Sequence, residues 1–452
     1  MLFHSHKDDT LKARFSDALL ASLAPDGGLW MPDAFPSFSE TERQDLSKAP
    51  FSAVAARLAR HFMDDRFSDD DVQEICADAY DFDPPIRGVA SRAEIGGAAA
   101  AANERDYVLE LFHGPTLAFK DYAARFMARS ASRLIARSGA ERTILVATSG
   151  DTGGAVGAAF AGQPGVRVFI LFPKDGVSRI QAAQLTTIGV KEGNVRALAV
   201  DGAFDDCQAL VKAAFSDPAL NEKHGLMSAN SINVGRVTPQ SFYYFWASLK
   251  LKAAHPDLPL TISVPSGNLG NVTGGLMARV MGAPIDRFVV GHNVNDPFVE
   301  YLTTGVYRPR PSVPTLSNAM DVGRPNNFER ILTLFDNDVD AVRRVCWGAR
   351  FTDEETGAHL KSVYDETGYL MCPHTAVGHA AASAHRKETG GEGVYLTVGT
   401  AHPAKFADGV EPIIGAPVPL PPALADALAA KPAETPMKPE LSALAAVLDG
   451  AS

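Results

Sequence analysis

Six short apolar segments, separated by stretches with helical spacing, constrain the fold of this chain most strongly. They lie near 144–148, 167–172, 197–200, 261–264, 287–291 and 394–398. Apolar strands that alternate with helices predict a mainly parallel sheet covered by helices, which places the sequence in the α/β class. Three of the segments run directly into loops of glycine and small polar residues, at 149–154, 265–271 and 399–406. Loops at the carboxyl ends of strands are where open α/β sheets bind their ligands.

The two ends of the chain differ from this α/β middle. Residues 1–85 are predicted to be mostly helical, with helices at 52–63 and 69–79 and a proline pair after Asp83 at the end of the region. Residues 416–439 carry several prolines and alanines, which predicts a loosely packed C-terminal extension. The length of 452 residues suggests two or three domains.

Composition and charge argue against several classes of partner. The net charge is −11 and there is no basic block, so neither nucleic acid nor an anionic membrane is an expected partner. No apolar run reaches the length of a membrane span, and the first residues are polar, unlike a signal peptide. The four cysteines are scattered without zinc or redox spacing, which predicts reduced core residues in a cytoplasmic protein. His374 and His379 fit no metal motif, so no metal is expected and both are predicted to be structural.

Lys120 stands at the junction of an apolar, turn-containing segment and a helix. The turn is Gly114-Pro115, and the helix is predicted to run from Asp121. A lysine between Phe119 and a first helical turn should be partly desolvated, which lowers the pKa of its amine and prepares it for Schiff-base chemistry. On this segment alone, a solvated surface lysine remains the simpler interpretation.

The loop 267–271 is the strongest candidate for an anion site. It sets two glycines and two asparagines between a strand and a helix, so that backbone amides and the helix dipole can converge on a phosphate. A lysine after the second glycine, which a P-loop would need, is absent, so a monophosphate fits better than a magnesium triphosphate. A tight turn with glycines for geometry alone is the alternative.

Two further polar segments are candidates for substrate recognition. Residues 149–153, with Thr148 before them, could bind a carboxylate or a ring hydroxyl, although the same residues occur in ordinary turns. Arg236 closes the segment 230–236 and could pair bidentately with a phosphate. A helix cap with a surface salt bridge is the simpler interpretation of that segment alone. Lys405, His402 and Arg324 are weaker candidates in loops.

Together these motifs resemble the pyridoxal-phosphate enzymes of the tryptophan-synthase-β fold type and, more closely, the long-form threonine synthases. The segments that carry the resemblance occur in the family's order at 23–29, 112–121, 149–153, 230–236, 265–271 and 399–406. Two positions depart from the common pattern. Leu269 stands where phenylalanine is frequent, and Asp151 stands where many members of the wider fold type carry asparagine.

The resemblance implies a fold of two mainly parallel-sheet α/β domains preceded by a small, mostly helical N-terminal domain. The implied boundaries are 1–85 for the N-terminal domain, 86–125 and 226–415 for the large cofactor-binding domain, 126–225 for the small domain and 416–452 for a C-terminal extension. Lys120 would carry pyridoxal 5'-phosphate as a Schiff base. The other implied cofactor contacts are Gly267, Asn268, Leu269 and Asn271 at the phosphate, Thr400 at the pyridine nitrogen, and Asp151 at the ring hydroxyl or the substrate carboxylate.

The remaining implied contacts are to the substrate. Thr148, Ser149 and Thr152 would bind its carboxylate or the ring hydroxyl, and Asn230, Ser231 and Arg236 would bind its phosphate. The family converts O-phospho-L-homoserine and water to L-threonine and phosphate, the last step of threonine biosynthesis, so a cytoplasmic lyase that is a monomer or homodimer is expected. Two alternatives stay open: a related lyase that stops at elimination and yields 2-oxobutyrate, and a catalytically silent phosphometabolite-binding protein, against which the presence of Lys120 argues.

Overall fold

The computed structural model describes residues 1–95 and 104–450 of the chain. The elements of residues 1–95 are β1 (Leu2–Ser5), β2 (Lys12–Arg14), α1 (Phe15–Ala21), β3 (Trp30–Pro32), α2 (Glu40–Lys48), α3 (Phe51–Phe62), α4 (Asp69–Ala79) and β4 (Ile86–Gly88). Up to residue 237 they are β5 (Asp106–Glu110), α5 (Lys120–Ser138), β6 (Arg142–Ala147), α6 (Asp151–Phe160), β7 (Val166–Pro173), α7 (Arg179–Thr187), β8 (Val195–Val200), α8 (Phe204–Ser216), α9 (Pro218–His224), β9 (Leu226–Ser228) and α10 (Val234–Val237).

The remaining elements follow in chain order. They are α11 (Gln240–Ala254), β10 (Leu260–Pro265), α12 (Gly270–Val280), β11 (Arg287–His292), α13 (Pro297–Thr304), α14 (Phe328–Leu334), α15 (Val339–Val345), β12 (Cys346–Arg350), α16 (Asp353–Thr367), α17 (Pro373–Thr389), β13 (Val394–Gly399), α18 (Ala407–Ile414), α19 (Pro422–Ala429), β14 (Glu434–Met437) and α20 (Leu441–Asp449). Short 3-10 turns occupy Asn318–Met320 and Pro403–Phe406. No helix in the described ranges is long and apolar enough to cross a membrane.

The strands of the described residues form three sheets. The large sheet has the order β12-β11-β10-β13-β5-β4, and only the edge pair β4–β5 is antiparallel. The small sheet has the order β14-β8-β7-β6-β9 and is parallel throughout. A three-stranded antiparallel sheet, β2-β1-β3, sits among the N-terminal helices. The predicted α/β fold with a mostly helical N-terminal region is therefore confirmed.

All six strands predicted from apolar segments are present, as β6, β7, β8, β10, β11 and β13, and the two predicted N-terminal helices are α3 and α4. Strands β4, β5 and β12 of the large sheet were not predicted. Strand β12 reads Cys-Trp-Gly-Ala-Arg at a half-buried sheet edge, so it has neither a continuous apolar run nor a clean alternation. Strand β5 begins with Asp106 and ends with Glu110, so its apolar run is only three residues long and gives a weak strand signal.

The predicted loose packing of the C-terminal extension is wrong. Strand β14 pairs in parallel with β8 from Glu434 opposite Ala197 to Met437 opposite Val200. Met437 is buried, and so are Leu444 and Leu448 of helix α20 in the cluster around β7 and α8. Strands β9 and β14 thus join the small sheet although they lie outside 126–225, and the domain boundaries themselves remain a prediction.

Helix α5 carries Lys120 into the middle of the molecule. It begins at Lys120 and ends before Gly139, whose φ of +66° is the left-handed conformation that favours glycine. Its inner face includes Tyr122, Phe126 and Met127, each at most 1% exposed. Burial of this apolar face against the core fixes the position of the first turn.

Candidate active site

Every cofactor or substrate contact that the resemblance implies lines a single cavity. It has a volume of about 2100 Å³ and lies where the carboxyl ends of the large and small sheets meet the N-terminal region. The predicted residues that line it are Lys120, Thr148, Ser149, Asp151, Thr152, Asn230, Ser231, Arg236, Gly267, Asn268, Leu269, Asn271 and Thr400. The rule that ligands bind beyond the carboxyl ends of parallel strands explains why segments so far apart in sequence converge here.

Lys120 is the first residue of α5 and is half-buried in the cavity wall. Its Nζ lies 5.5 Å from the centre of the Phe119 ring, and no described residue accepts a hydrogen bond from it. Burial lowers the pKa of this amine to about 8, against the opposing charge of Asp151. A substantial neutral fraction near neutral pH is the state in which a lysine acts as a nucleophile.

The segment before Lys120 is bound directly to the segment that contains Thr400. The backbone N–H of Phe119 donates to the carbonyl of Thr400 at 2.8 Å, and the N–H of His402 donates to the carbonyl of Leu117 at 3.0 Å. Asp121, fully buried, accepts from the N–H of Thr116 at 2.9 Å and from its hydroxyl at 2.6 Å. These bonds fix the amine of Lys120 beside the end of β13.

The loop after β10 has the features of a phosphate site. Both tyrosine hydroxyls of the pair Tyr243 and Tyr244 donate to Oδ1 of Asn271, at 2.6 and 2.8 Å. Because Oδ1 is taken by two donors, the amide orientation is defined and Nδ2 is left as a donor. This buried Nδ2 has no hydrogen-bond partner in the described part of the chain, and neither has the buried hydroxyl of Ser266.

The rest of this loop is held closely against its surroundings. A Cβ on Gly267 would come within 2.6 Å of the backbone of Met320, so only glycine fits there without a shift. Leu269 has a φ of +60°, an uncommon conformation for a residue other than glycine. Asn268 donates to the hydroxyl of Ser231 at 2.8 Å and accepts from the N–H of Asn326 at 2.6 Å. The loop is thus preorganised at the N-terminus of α12, where an anion is favoured.

Two of the predicted substrate residues also have evident structural bonds. The hydroxyl oxygen of Thr148 accepts from the N–H groups of Gly150 and Gly153, both at 2.9 Å, at the start of α6. The side-chain amide of Asn230 donates to the carbonyl of Ala147 at 2.8 Å and accepts from its N–H at 3.3 Å. These bonds shape the ends of β6 and β9, next to the cavity.

Two arginines are buried at or behind the cavity wall without a carboxylate partner among the described residues: Arg236 lines the cavity, and Arg330 contacts the lining segment 231–232. Arg236 donates to the carbonyl of Ala229, and its Nε has no partner in the same ranges. Arg330 donates to the carbonyls of Ser231 and Ile232 at 2.8 Å each. Burial lowers the pKa of Arg236 to about 10 and that of Arg330 to about 9. Buried cations without counter-ions favour an anionic guest, because an anion would offset their desolvation.

Several residues of the site were missed or undervalued by the sequence analysis. Lys405 is buried and forms an ion pair with Asp151 at 2.8 Å, although its sequence context made it only a weak candidate. Tyr243, Tyr244 and Arg330 were not predicted at all. Their only sequence signal is a polar group within an apolar helix, and that signal does not reveal a partner that lies far along the chain.

His374 has a structural contact, as predicted, but it also lines the cavity. Its Nε2 accepts from the backbone N–H of Ala319 at 3.1 Å. Burial lowers the pKa of the imidazole to about 4, so the ring is neutral near neutral pH. Since Nε2 accepts, the ring proton is on Nδ1.

The residues present fit pyridoxal phosphate. The free Nδ2–H donor of Asn271 and the buried cations Arg236 and Arg330 suit the phosphate of this cofactor. The desolvated amine of Lys120 suits its aldehyde. A family model described as pyridoxal-phosphate dependent enzyme matches residues 97–401, and this is the class that the fold and the site define. Two further models, described as threonine synthase N terminus and threonine synthase C-terminal, match residues 2–80 and 375–447. The chain belongs to the threonine synthase family.

Individual relatives agree with this assignment over nearly the whole length. The chain is 39% identical over 426 residues to the threonine synthase of Escherichia coli, and the match covers 94% of each chain. It is 39% identical over 421 residues to that of Haemophilus influenzae, covering 93% of each. A crystal structure of threonine synthase from Brucella melitensis with bound PLP superimposes with a TM-score of 0.89 at 35% identity, covering 100% of this chain and 99% of the other.

Proposed function

We propose that this protein catalyses the conversion of O-phospho-L-homoserine and water to L-threonine and phosphate, as a pyridoxal-phosphate-dependent lyase of threonine biosynthesis. The observation that carries the proposal is the convergence of a desolvated lysine and an anion cradle in one cavity. Membership of the threonine synthase family supports the same reaction. The cofactor, when bound, supplies an electron sink for the α-carbon of the amino-acid substrate.

We assign the cofactor contacts as follows. Lys120 binds the cofactor covalently through Nζ, and Asn271 donates from Nδ2 to its phosphate. Gly267, Asn268 and Leu269 contribute the rest of that cradle. Thr400 would offer a hydroxyl, and not a carboxylate, to the pyridine nitrogen of the bound cofactor, a partner that would favour elimination and replacement over transamination. Asp151 lies near the ring hydroxyl.

The remaining predicted residues of the cavity are assigned to the substrate. Ser149 and Thr152, with Thr148, receive the carboxylate, and Arg236 with Ser231 and Asn230 receives the phosphate. Lys120 is also assigned as the base: with substrate bound, its Nζ would take the α-proton, and its lowered pKa of about 8 provides a neutral fraction near neutral pH for this task. The four cysteines are free and buried, which suits a reducing, cytoplasmic setting, and a monomer or homodimer is part of the proposal.

Two measurements on the purified protein test this function. The protein with bound cofactor should absorb near ~410 nm, the band of a lysine-linked pyridoxal cofactor. Addition of O-phospho-L-homoserine should release phosphate and threonine in equal amounts. Release of 2-oxobutyrate in place of threonine would instead identify a lyase that stops at elimination. Absence of any turnover in the yellow protein would identify a silent binding protein.

Removal of the two tyrosine hydroxyls at Asn271 should weaken the binding of pyridoxal phosphate. We expect Tyr243→Phe and Tyr244→Phe each to raise the Kd roughly 2- to 10-fold, since each loses one neutral hydrogen bond that orients the amide. Titration of cofactor-free protein, followed by fluorescence, measures this. Tyr80→Phe is the matched control, because the Tyr80 hydroxyl is buried without a partner among the described residues. An equal loss of affinity for pyridoxal, which lacks the phosphate, would contradict the role.

Arg236→Lys should raise the KM for O-phospho-L-homoserine and leave the cofactor affinity unchanged. A guanidinium can hold two phosphate oxygens, and an ammonium cannot, so the expected cost is roughly 1.5–3 kcal/mol. Steady-state kinetics measure it, and a fall in kcat at constant KM would place the contact in the transition state. Arg279→Lys, at an exposed arginine that donates to the carbonyl of Ile285, is the control. Wild-type kinetics in the Arg236 variant would exclude the arginine from substrate binding.

A further inference from the structure

A buried ion pair that interacts electrostatically with Lys120 includes Lys405, a residue to which the proposed function assigns no role. Nζ of Lys405 is 2.8 Å from Oδ1 of Asp151, and the two residues are only 1% and 4% exposed. Burying both charges is costly, and the pair persists only if its geometry and its other hydrogen bonds are good. A pair with this cost at the wall of the proposed active site calls for a functional explanation.

The surroundings hold both partners in place. Lys405 also donates to the carbonyl of Thr116 at 2.8 Å, and its own carbonyl accepts from the hydroxyl of Ser178 at 3.0 Å. The amide of Gln181 donates at 3.0 Å to Oδ1 of Asp151, the same oxygen that Lys405 contacts. The ammonium and the carboxylate are therefore fixed by the loop before α5, by α7 and by the turn Pro403–Phe406.

The charges around Lys120 explain what such a pair can do. Asp151 favours the ammonium form of Lys120, while Lys405 and Arg236 oppose it and burial opposes it most. Burial alone would raise the pKa of Asp151, but Lys405 and then Lys120 hold it well below its ordinary range, so this carboxylate is ionised. His374 faces the same groups as a neutral ring, and burial raises the pKa of Asp121, which faces Lys405 and Arg236.

Asp151 thus has two lysines within electrostatic reach and is in hydrogen-bonded contact with one of them. If Lys405 were neutral, the ionised carboxylate would be left with Lys120 as its nearest compensating lysine. The attraction between two buried opposite charges is strong because the local dielectric is low. Lys120 would then be held as an ammonium ion, and an ammonium has no lone pair with which to attack an aldehyde or accept a proton.

We propose that Lys405 is a positioning residue that occupies the carboxylate of Asp151 and thereby leaves Lys120 as a free amine. Lys405 itself touches no reacting atom in this role. The inference rests on the proposed function only in taking Lys120 as the cofactor-binding amine and the base. The electrostatic competition between Lys405 and Lys120 for Asp151 can be measured without cofactor or substrate.

The test measures the ionisation of Lys120 in three variants of the full chain, freed of cofactor. Lysines are methylated with formaldehyde and borohydride across a pH series, and mass spectrometry gives the extent of modification at Lys120. In the wild type, modification should rise through the pKa of about 8 that burial imposes on this amine. Lys405→Met should move this midpoint up by about one unit or more, which lowers modification roughly tenfold on the rising limb.

The second and third variants separate this competition from a general loss of structure. Asp151→Asn alone should move the midpoint of Lys120 below that of the wild type, because the attracting carboxylate is gone while Lys405 remains. Asp151→Asn combined with Lys405→Met should bring it back near the wild-type value, since removing both partners of a buried pair leaves no uncompensated charge. Lys252→Met is the matched control, because Lys252 is half-buried and its one side-chain bond within the described ranges goes to the carbonyl of Leu258.

The outcomes are distinct. A Lys120 midpoint that stays unchanged in Lys405→Met, or in Asp151→Asn, would overturn the inference. A shift in Lys405→Met that the double variant does not reverse would also overturn it, because Asp151 would not be the mediator. If Lys405→Met fails to fold, Asp151→Asn and the double variant still decide the question. A chain that shows the expected shifts but does not bind pyridoxal phosphate would refute the proposed function and leave the electrostatic competition standing.

Discussion

Replacing Lys120 with alanine is expected to abolish threonine formation and covalent attachment of the cofactor together. The amine is both the anchor of the cofactor and the base for the α-proton in the proposed function, so the loss should be about 10⁴-fold or more in kcat. Of the lysines in the described ranges, Lys120 is the one that lines the cavity beside the phosphate loop at the start of α5. Phosphate release and threonine formation, measured together, give the loss.

A matched control is available on α11. Lys250 lies with its Nζ 5.5 Å from the centre of the Trp246 ring, as Lys120 does from Phe119, and burial lowers the pKa of its amine as well. Lys250→Ala should retain wild-type activity. Borohydride reduction followed by mass spectrometry should find the cofactor on Lys120 in the wild type and in the Lys250 variant. Cofactor on any other lysine would remove Lys120 from the mechanism.

The second large effect is expected from Asn271→Asp. The two tyrosine hydroxyls would still bind one carboxylate oxygen, and the other oxygen would then occupy the position of Nδ2. This replaces a buried donor with a negative charge that faces the dianionic phosphate. The expected cost to cofactor affinity is about 3 kcal/mol or more, the scale of an uncompensated buried charge.

Titration of the cofactor-free variant with pyridoxal phosphate measures this cost, and pyridoxal serves as the control ligand. Affinity for pyridoxal should change much less, because it carries no phosphate to be repelled. Turnover at saturating cofactor should be restored in large part. Unchanged affinity for pyridoxal phosphate would show that the phosphate is bound elsewhere in the cavity.

The parts of the site that the sequence predicts share one property. Each has a local signal: Asn271 and Thr400 come shortly after the predicted apolar strands β10 and β13, at the carboxyl edge of a sheet, and Lys120 comes at the junction of a turn and helix α5. The local sequence therefore indicates the type of secondary structure around each of these residues and, for Asn271 and Thr400, the position at the binding edge of the sheet. The same reasoning located six strands, since each has an apolar run bounded by turn residues.

The parts that could not be predicted depend on contacts between distant segments. The pairing of Lys405 with Asp151 joins two loops of different sheets, and the convergence of Tyr243 and Tyr244 on Asn271 joins two helices. A tyrosine in an apolar helix has the same local pattern whether or not its hydroxyl finds a partner, as Tyr80 shows. Strand β14 was missed for a related reason, because its residues are exposed except for Met437 and its stability comes from pairing with β8.

The pairing of β14 with β8 has a consequence for the synthesis of the protein. Glu434 lies opposite Ala197, so the ribosome must add about 240 residues after β8 before its neighbour exists, which takes on the order of tens of seconds. Throughout that interval the backbone groups along one side of β8 are available to any other extended chain. The nascent protein therefore carries an open sheet edge from the completion of β8 until residues 434–437 have been synthesised.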